Sequence, residues 1–388
     1  MLFEFSTTTH LRFGRGTVAE APEIFRVLGA ERVFLITGRR PDRAQPLRAG
    51  LAESGCVVTE LAVPGEPTLE LVRAAAQRAT TERCDAVVAF GGGSAIDAGK
   101  AVAALVTNRG DPRDYLEVIG RGRKLERPSL PFVAIPTTAG TGAEVTKTAV
   151  VLARHERVKA TLRSHHLQPT AAIIDPALAE TAPEAVRRLG GFVALAHLIE
   201  GFVGRAPSPL TDALCREGLR HLCPALGGLA AGDNKSSSSE AFCLAGLFGG
   251  LVASNTGQGV IEALTAPASG MLEAPLREVT AALLPPALEV NLRALQMRAP
   301  ASPALHRLRE LAVVLTGRAE ADAGQGIAWL RRLARDLGVQ GLADLGMAPA
   351  YVPLLIERAK MAPSLEENPI ALSDEELGEI VGRAMDAA

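Results

Sequence analysis

The chain has 388 residues, of which 47% are hydrophobic and 22% charged, and a net charge of −2, enough for two domains and a large core. That near-neutral balance and an aromatic content of 4% give no basis for nucleic-acid binding or for an acidic membrane surface. The five cysteines (Cys56, Cys84, Cys215, Cys223 and Cys243) include no Cys-x-x-Cys pair, which argues against zinc ribbons and disulfide scaffolds and for buried free thiols.

The first residues, Met1-Leu2-Phe3-Glu4-Phe5, carry an early acid and no basic-then-apolar signal region. The longest apolar run, 241–253, is too short and too rich in glycine to span a bilayer. A cytoplasmic protein is expected. Arg32 to Thr37 reads as a buried strand ending at Gly38, 43–54 as a helix, and Cys56 to Leu61 as a second strand. Pro67-Thr68 is an N-cap signal for an amphipathic helix over 69–83. The apolar run Ala86 to Phe90 reads as another buried strand, followed by Gly91-Gly92-Gly93-Ser94 and a helix to about Val106. Residues 130–136 and 171–174 add two more strands, the last stopped by Asp175-Pro176. Strands alternating with helices predict a mostly parallel sheet. Its ligands bind at the carboxyl ends of the strands, where Gly38, Gly91 to Ser94 and Thr137-Thr138 fall.

Beyond Pro183 the valine and isoleucine runs fade and helical periodicity takes over. Helices are predicted at 184–204, 209–231, 239–254, 257–271, 277–297, 303–316, 320–337, 349–360 and 374–386, with Lys235 to Ser239 as a polar loop. The expected fold class is α/β followed by all-α. A Rossmann-like parallel-sheet domain spans 1–178 and a helical domain 179–388, with no internal repeat.

Three glycines at a strand-to-helix junction let backbone amides approach a ligand at the positive end of a helix, which suits a pyrophosphate. The pattern is neither G-x-G-x-x-G nor a P-loop, and a turn serving only tight packing is the alternative. A second turn, Pro136-Thr137-Thr138-Ala139-Gly140-Thr141-Gly142, follows the strand at 130–136, and its hydroxyls suit a ribose or phosphate.

Together with Gly-Gly-Gly-Ser-x-x-Asp-x-x-Lys at 91–100, this turn makes the chain resemble the iron-containing (group III) alcohol dehydrogenases over nearly its whole length. The resemblance extends to Leu11 to Gly16, Asp175-Pro176, Gly191 to Gly201 and Leu283 to Asn291. It implies a dehydroquinate synthase-like fold that binds NAD(P), with a divalent metal between the domains, and a homodimer or larger assembly. It also implies that Gly91, Gly92, Gly93 and Ser94 cradle the pyrophosphate. Asp97, Thr137, Thr138 and Thr141 would help hold the cofactor, with Lys159 near the ribose and nicotinamide end. Lys100 matches the motif but equally suits a structural ion pair. NAD-preferring members often carry Asp at the position of Gly38. Here Arg39 and Arg40 follow instead, and arginine suits a phosphate. NADP(H) is therefore favoured over NAD(H), the alternative being that both arginines are solvated loop charges.

The family's metal is held by one Asp and three His. In this chain His197 stands at one His position, while Val193 takes the Asp position and Glu262 and Leu276 the other two. Ala266 replaces a further active-site His. One imidazole and one carboxylate are too few for a divalent site, so no metal is expected, unless Glu200, His165 or His166 serve as substitute ligands. The catalytic candidates are then His197 as general acid, with Glu262 orienting it, or a histidine left in a relic pocket. The reading is an NAD(P)H-dependent reductase of a small, apolar aldehyde, ketone or enone. A non-redox lyase or isomerase on the same scaffold, or a catalytically silent cofactor-binding subunit, are the competing ones.

Overall fold

A computed structural model describes residues 2–232 and 236–386. The chain forms two compact units, Ser6–Pro183 and the helices from Glu184 onward together with the residues before Ser6. The divide falls after Pro183 rather than after residue 178, because the short helix Pro176–Glu180 stays with the sheet.

The sheet unit is built on six parallel strands: β1 (His10–Phe13), β2 (Arg32–Thr37), β3 (Val57–Ala62), β4 (Ala86–Gly91), β5 (Phe132–Pro136) and β8 (Ala171–Ile174). Their spatial order is β1-β8-β5-β4-β2-β3. All residues of β4, β5 and β8 are buried. This matches their unbroken apolar sequences, since parallel strands are covered on both faces. After β2 the chain first adds β3 on one side, then returns to place β4 on the other. The switch point, where doubly wound sheets bind ligands, therefore lies between the carboxyl ends of β2 and β4.

The expected strands and helices are present with small shifts at their ends. Thr68 caps the helix Leu69–Thr81 by accepting the Leu71 N–H at 3.2 Å. Besides the helices Ala21–Leu28, Pro112–Tyr115 and Pro176–Glu180, which were not predicted from the sequence, two strand features were not expected. The short β1 pairs with β8 at the sheet edge. Strands β6 (Thr148–Ala153) and β7 (Val158–Arg163) form a separate antiparallel hairpin. Its turn contains no glycine or asparagine to announce it; Arg157 itself adopts the left-handed conformation, at φ 52°.

The helical unit contains the nine predicted helices, among them Glu184–Val203, Pro209–Ala230, Ser236–Thr256, Val260–Leu272 and Leu276–Arg298. The proposed polar loop is corrected in part. Residues Ser236 to Ser239 form the first turn of a helix, and Lys235 lies outside the described residues. Helix Glu184–Val203 packs through glycines. A Cβ on Gly191 would lie 2.6 Å from the Phe242 ring, and one on Gly201 would lie 2.1 Å from a Val252 methyl. All five cysteines are buried, and none forms a disulfide. Among the described residues no helix is long and apolar enough to cross a membrane.

Candidate functional site

In the sheet unit the two glycine-rich turns meet at the switch point. The Gly38 N–H bonds the Phe90 carbonyl at 3.2 Å, and the Thr137 N–H bonds the Gly91 carbonyl at 2.8 Å. Each of the three glycines has a distinct packing reason. A Cβ on Gly91 would lie 2.5 Å from the Ala95 Cβ and 3.1 Å from the Gly38 nitrogen. On Gly92 it would lie 3.1 Å from the Thr138 Oγ1, and on Gly93 it would lie 3.3 Å from the Thr141 Oγ1. The backbone of the first turn and the hydroxyls of the second therefore share one crevice that side chains at 92 and 93 would fill.

Helix Gly93–Thr107 starts in that crevice, and its N-cap, Gly92, offers no side-chain acceptor. Its first N–H groups and positive dipole end face the place a phosphate would take. These residues fit the pyrophosphate of a dinucleotide. Ser94, Asp97 and Thr138 are half-buried there, and Thr137 is buried.

Beneath the crevice lies a polar cluster that the sequence pointed to only through Lys100. The Lys100 side chain is buried and donates to Thr146 Oγ1 at 2.7 Å and to the Thr148 carbonyl at 2.9 Å. Burial lowers its pKa to about 8, against the opposing charges of Asp97 and Glu144. Glu144 is buried too, and desolvation raises its carboxyl to about 7. Lys100 thereby ties the phosphate-facing helix to the segment that follows the second turn, which is the structural role. Lys159, on β7, has a buried ammonium 3.0 Å from Glu66. Arg39 is exposed, and its Nε donates to the Pro64 carbonyl at 3.0 Å.

In the helical unit, His197 sits on helix Glu184–Val203 against Gly249, where a Cβ would lie 3.3 Å from its own. Its Nδ1 is buried without a hydrogen-bond partner among the described residues. Burial alone pushes its pKa down to about 4, and no carboxylate contributes to the shift. The imidazole is therefore neutral at pH 7. Glu262 lies half-buried in the first turn of helix Val260–Leu272.

Glu200 is fully engaged. Its buried carboxyl accepts the Ile261 N–H at 2.7 Å and the Glu262 N–H at 3.3 Å, closing the N-terminus of helix Val260–Leu272. Desolvation raises its pKa to about 8, with the Glu262 charge adding to it and the backbone N–H groups opposing. The sequence offers it as a substitute metal ligand or an ordinary polar residue, not as a helix cap. Its position three residues after His197 signals neither burial nor capping.

The family's metal does not fit this donor set. Val193 is buried, and Leu276 opens helix Leu276–Arg298 after Pro275; neither side chain has a lone pair to offer. The carboxyl of Glu200 is taken up by backbone donors. The rings of His165 and His166 lie against each other, tilted by 48° with centroids 3.9 Å apart, in the sheet unit. Among the described residues no group of three or more His, Cys, Asp or Glu could hold a metal ion.

Comparison with known proteins completes the description. Residues 8–176 match the sequence model of the iron-containing alcohol dehydrogenases, and residues 189–385 that of the C-terminal part of the same family. The probable alcohol dehydrogenase EutG of Salmonella typhimurium is 30% identical over 92% of this chain and 88% of its own. The 1,3-propanediol dehydrogenase of Klebsiella pneumoniae is 28% identical over 99% of both. The crystal structure of a 1,3-propanediol oxidoreductase aligns at a TM-score of 0.88 and 27% identity, covering 99% of this chain and 100% of that one.

Proposed function

The chain belongs to the iron-containing alcohol dehydrogenase family, and from that premise we propose that it is an NADP(H)-preferring oxidoreductase that reduces a small, apolar aldehyde, ketone or enone without the family's metal. The observation that carries this reading is the crevice where Gly92 and Gly93 leave room against Thr138 and Thr141 at an uncapped helix N-terminus.

A bound nicotinamide supplies or accepts the hydride. The chain's own residues do the rest. The amides of Gly93 and Ser94 hold the pyrophosphate, and the hydroxyls of Thr137, Thr138 and Thr141, with Asp97 and Lys159, set the register of the remaining cofactor. Reducing a carbonyl builds negative charge on its oxygen, and something must donate to that oxygen. His197 is neutral at pH 7. It therefore serves as a neutral N–H donor that follows the oxygen's charge, rather than as an imidazolium. Val193 and Leu276 at two of the family's ligand positions, and Ala266 at that of a further active-site His, present apolar surface, which suits an apolar substrate. What supports metal independence is the chemistry of the same side chains, since none of the three can ligate.

The test combines metal content with turnover. Protein produced with iron and zinc supplied is analysed for metal per chain. NADPH oxidation with a panel of aldehydes, ketones and enones is then followed with and without a chelator. The reading expects a metal content near zero and turnover that survives chelation. About one equivalent of metal together with loss of turnover on chelation would overturn it.

A further inference from the structure

We propose that Arg39 reads the 2′-phosphate of the cofactor's adenosine ribose, through a guanidinium that the Pro64 carbonyl holds in place before any ligand arrives. This deepens the NADP(H) reading above and rests on it.

Gly38 ends β2 at the switch point, one strand from the crevice on β4. Adjacent strands lie about 4.8 Å apart. Pro64 lies just beyond β3, the next strand out, where the Val63 N–H bonds the Thr37 carbonyl at 2.8 Å. A guanidinium anchored over that end stands one to two strand spacings from the pyrophosphate crevice, the span of a single ribose.

The anchor uses only Nε, at 3.0 Å from the carbonyl. Neither terminal nitrogen of Arg39 has a partner among the described residues, so the outer edge of the fork is open to a phosphate. A carbonyl anchor leaves the positive charge uncompensated, where a carboxylate partner would have neutralised it. With one nitrogen already fixed, less rotamer freedom is lost on binding.

The neighbouring arginines are placed differently. Arg43 donates to the Leu178 carbonyl at 2.8 Å. Burial lowers its pKa, and the charge of Arg40 adds to that. The Arg40 side chain has no hydrogen bond among the described residues, while its carbonyl accepts the Arg43 N–H at 3.3 Å and the residue opens the turn Pro41–Ala44. The segment thus presents one anchored, open guanidinium and one unanchored charge. Nothing conformational requires glycine at position 38. A Cβ there would meet the Gly91 Cα at 3.6 Å, an ordinary contact. The missing acid is therefore a chemical feature of the site and not a packing demand.

The test uses two probes that differ only in the 2′-phosphate, adenosine 2′,5′-bisphosphate and adenosine 5′-monophosphate, titrated calorimetrically into the whole protein. The wild type is expected to favour the bisphosphate by about tenfold or more, the worth of a charge-assisted pair. Arg39→Gln should abolish that preference while leaving the monophosphate affinity unchanged, and Arg40→Gln should keep most of it. A preference that survives Arg39→Gln, or that is lost only in Arg40→Gln, would overturn the role of Arg39 and leave the NADP(H) reading standing. A wild type that binds both probes equally would overturn the NADP(H) reading and this inference with it. A wild type that binds neither would overturn the nucleotide crevice itself.

Discussion

Replacing His197 by Gln tests the physical state assigned to that side chain. In the folded protein burial holds the imidazole neutral down to about 4, whereas in the unfolded chain it takes a proton near 6.5. Between those values the unfolded state binds the proton and the native state refuses it, so stability is complete above 6.5 and is lost as the pH falls toward 4. The full difference is worth about 3 kcal/mol, at a slope of about 1.4 kcal/mol per pH unit. Gln keeps a polar, non-titrating group of similar length. Urea unfolding of wild type and His197→Gln, followed by helical circular dichroism at pH 7.5, 6.5, 5.5 and 5.0, isolates the residue. The wild type should lose about 1 kcal/mol per pH unit more than the variant below pH 6.5. Turnover of the wild type should show no acid limb near 6.5 from this residue. Parallel stability curves for the two proteins would refute the burial argument, because an imidazole that titrates alike folded and unfolded contributes no pH dependence.

Gly91→Ala forces a Cβ to within 2.5 Å of the Ala95 Cβ. It should cost about 1–3 kcal/mol in chemical unfolding and weaken dinucleotide binding with it. Gly38→Asp, by contrast, meets only the ordinary 3.6 Å contact to Gly91. It should leave the melting temperature nearly unchanged while moving preference from NADPH toward NADH by about tenfold or more, read as the ratio of kcat/KM values. Glu200→Gln keeps an acceptor for the Ile261 N–H but removes the titration. The native carboxyl, raised to about 8, contributes stability that is present below its unfolded value of 4.5 and lost as the pH rises through 8. The variant should therefore lose less stability than wild type between pH 6 and 9, and equal losses in a pH series of melts would contradict the assignment.

Much of the fold was legible because parallel strands buried on both faces read as continuous apolar runs, as in Ala86–Gly91 and Phe132–Pro136. Helices announced themselves through their period and, at Thr68, through a cap that accepts the Leu71 N–H as the sequence implied. The β6–β7 hairpin was not legible, since Arg157 takes the left-handed position that glycine or asparagine usually marks. Nor was β1, whose four residues, His10–Phe13, carry no pattern of their own and become a strand only by pairing with β8.

The site divides in the same way. The sequence by itself determined that two glycine-rich turns follow neighbouring strands, that position 38 carries glycine rather than an acid and is followed by Arg39, and that Val193 and Leu276 have no lone pairs for a metal. These are properties of side-chain chemistry and local periodicity, and no neighbour can change them. Only the tertiary structure decided that Gly92 and Gly93 close against Thr138 and Thr141, residues some 45 positions away. It alone committed Lys100 to Thr146 and Thr148, set Glu200 to cap a helix that begins 60 residues later, and aligned Arg39 on Pro64. Desolvation and long-range hydrogen bonds depend on which distant segments the fold packs around a group. The neutrality of His197 at pH 7 is for that reason a property of its burial, not of the residue type.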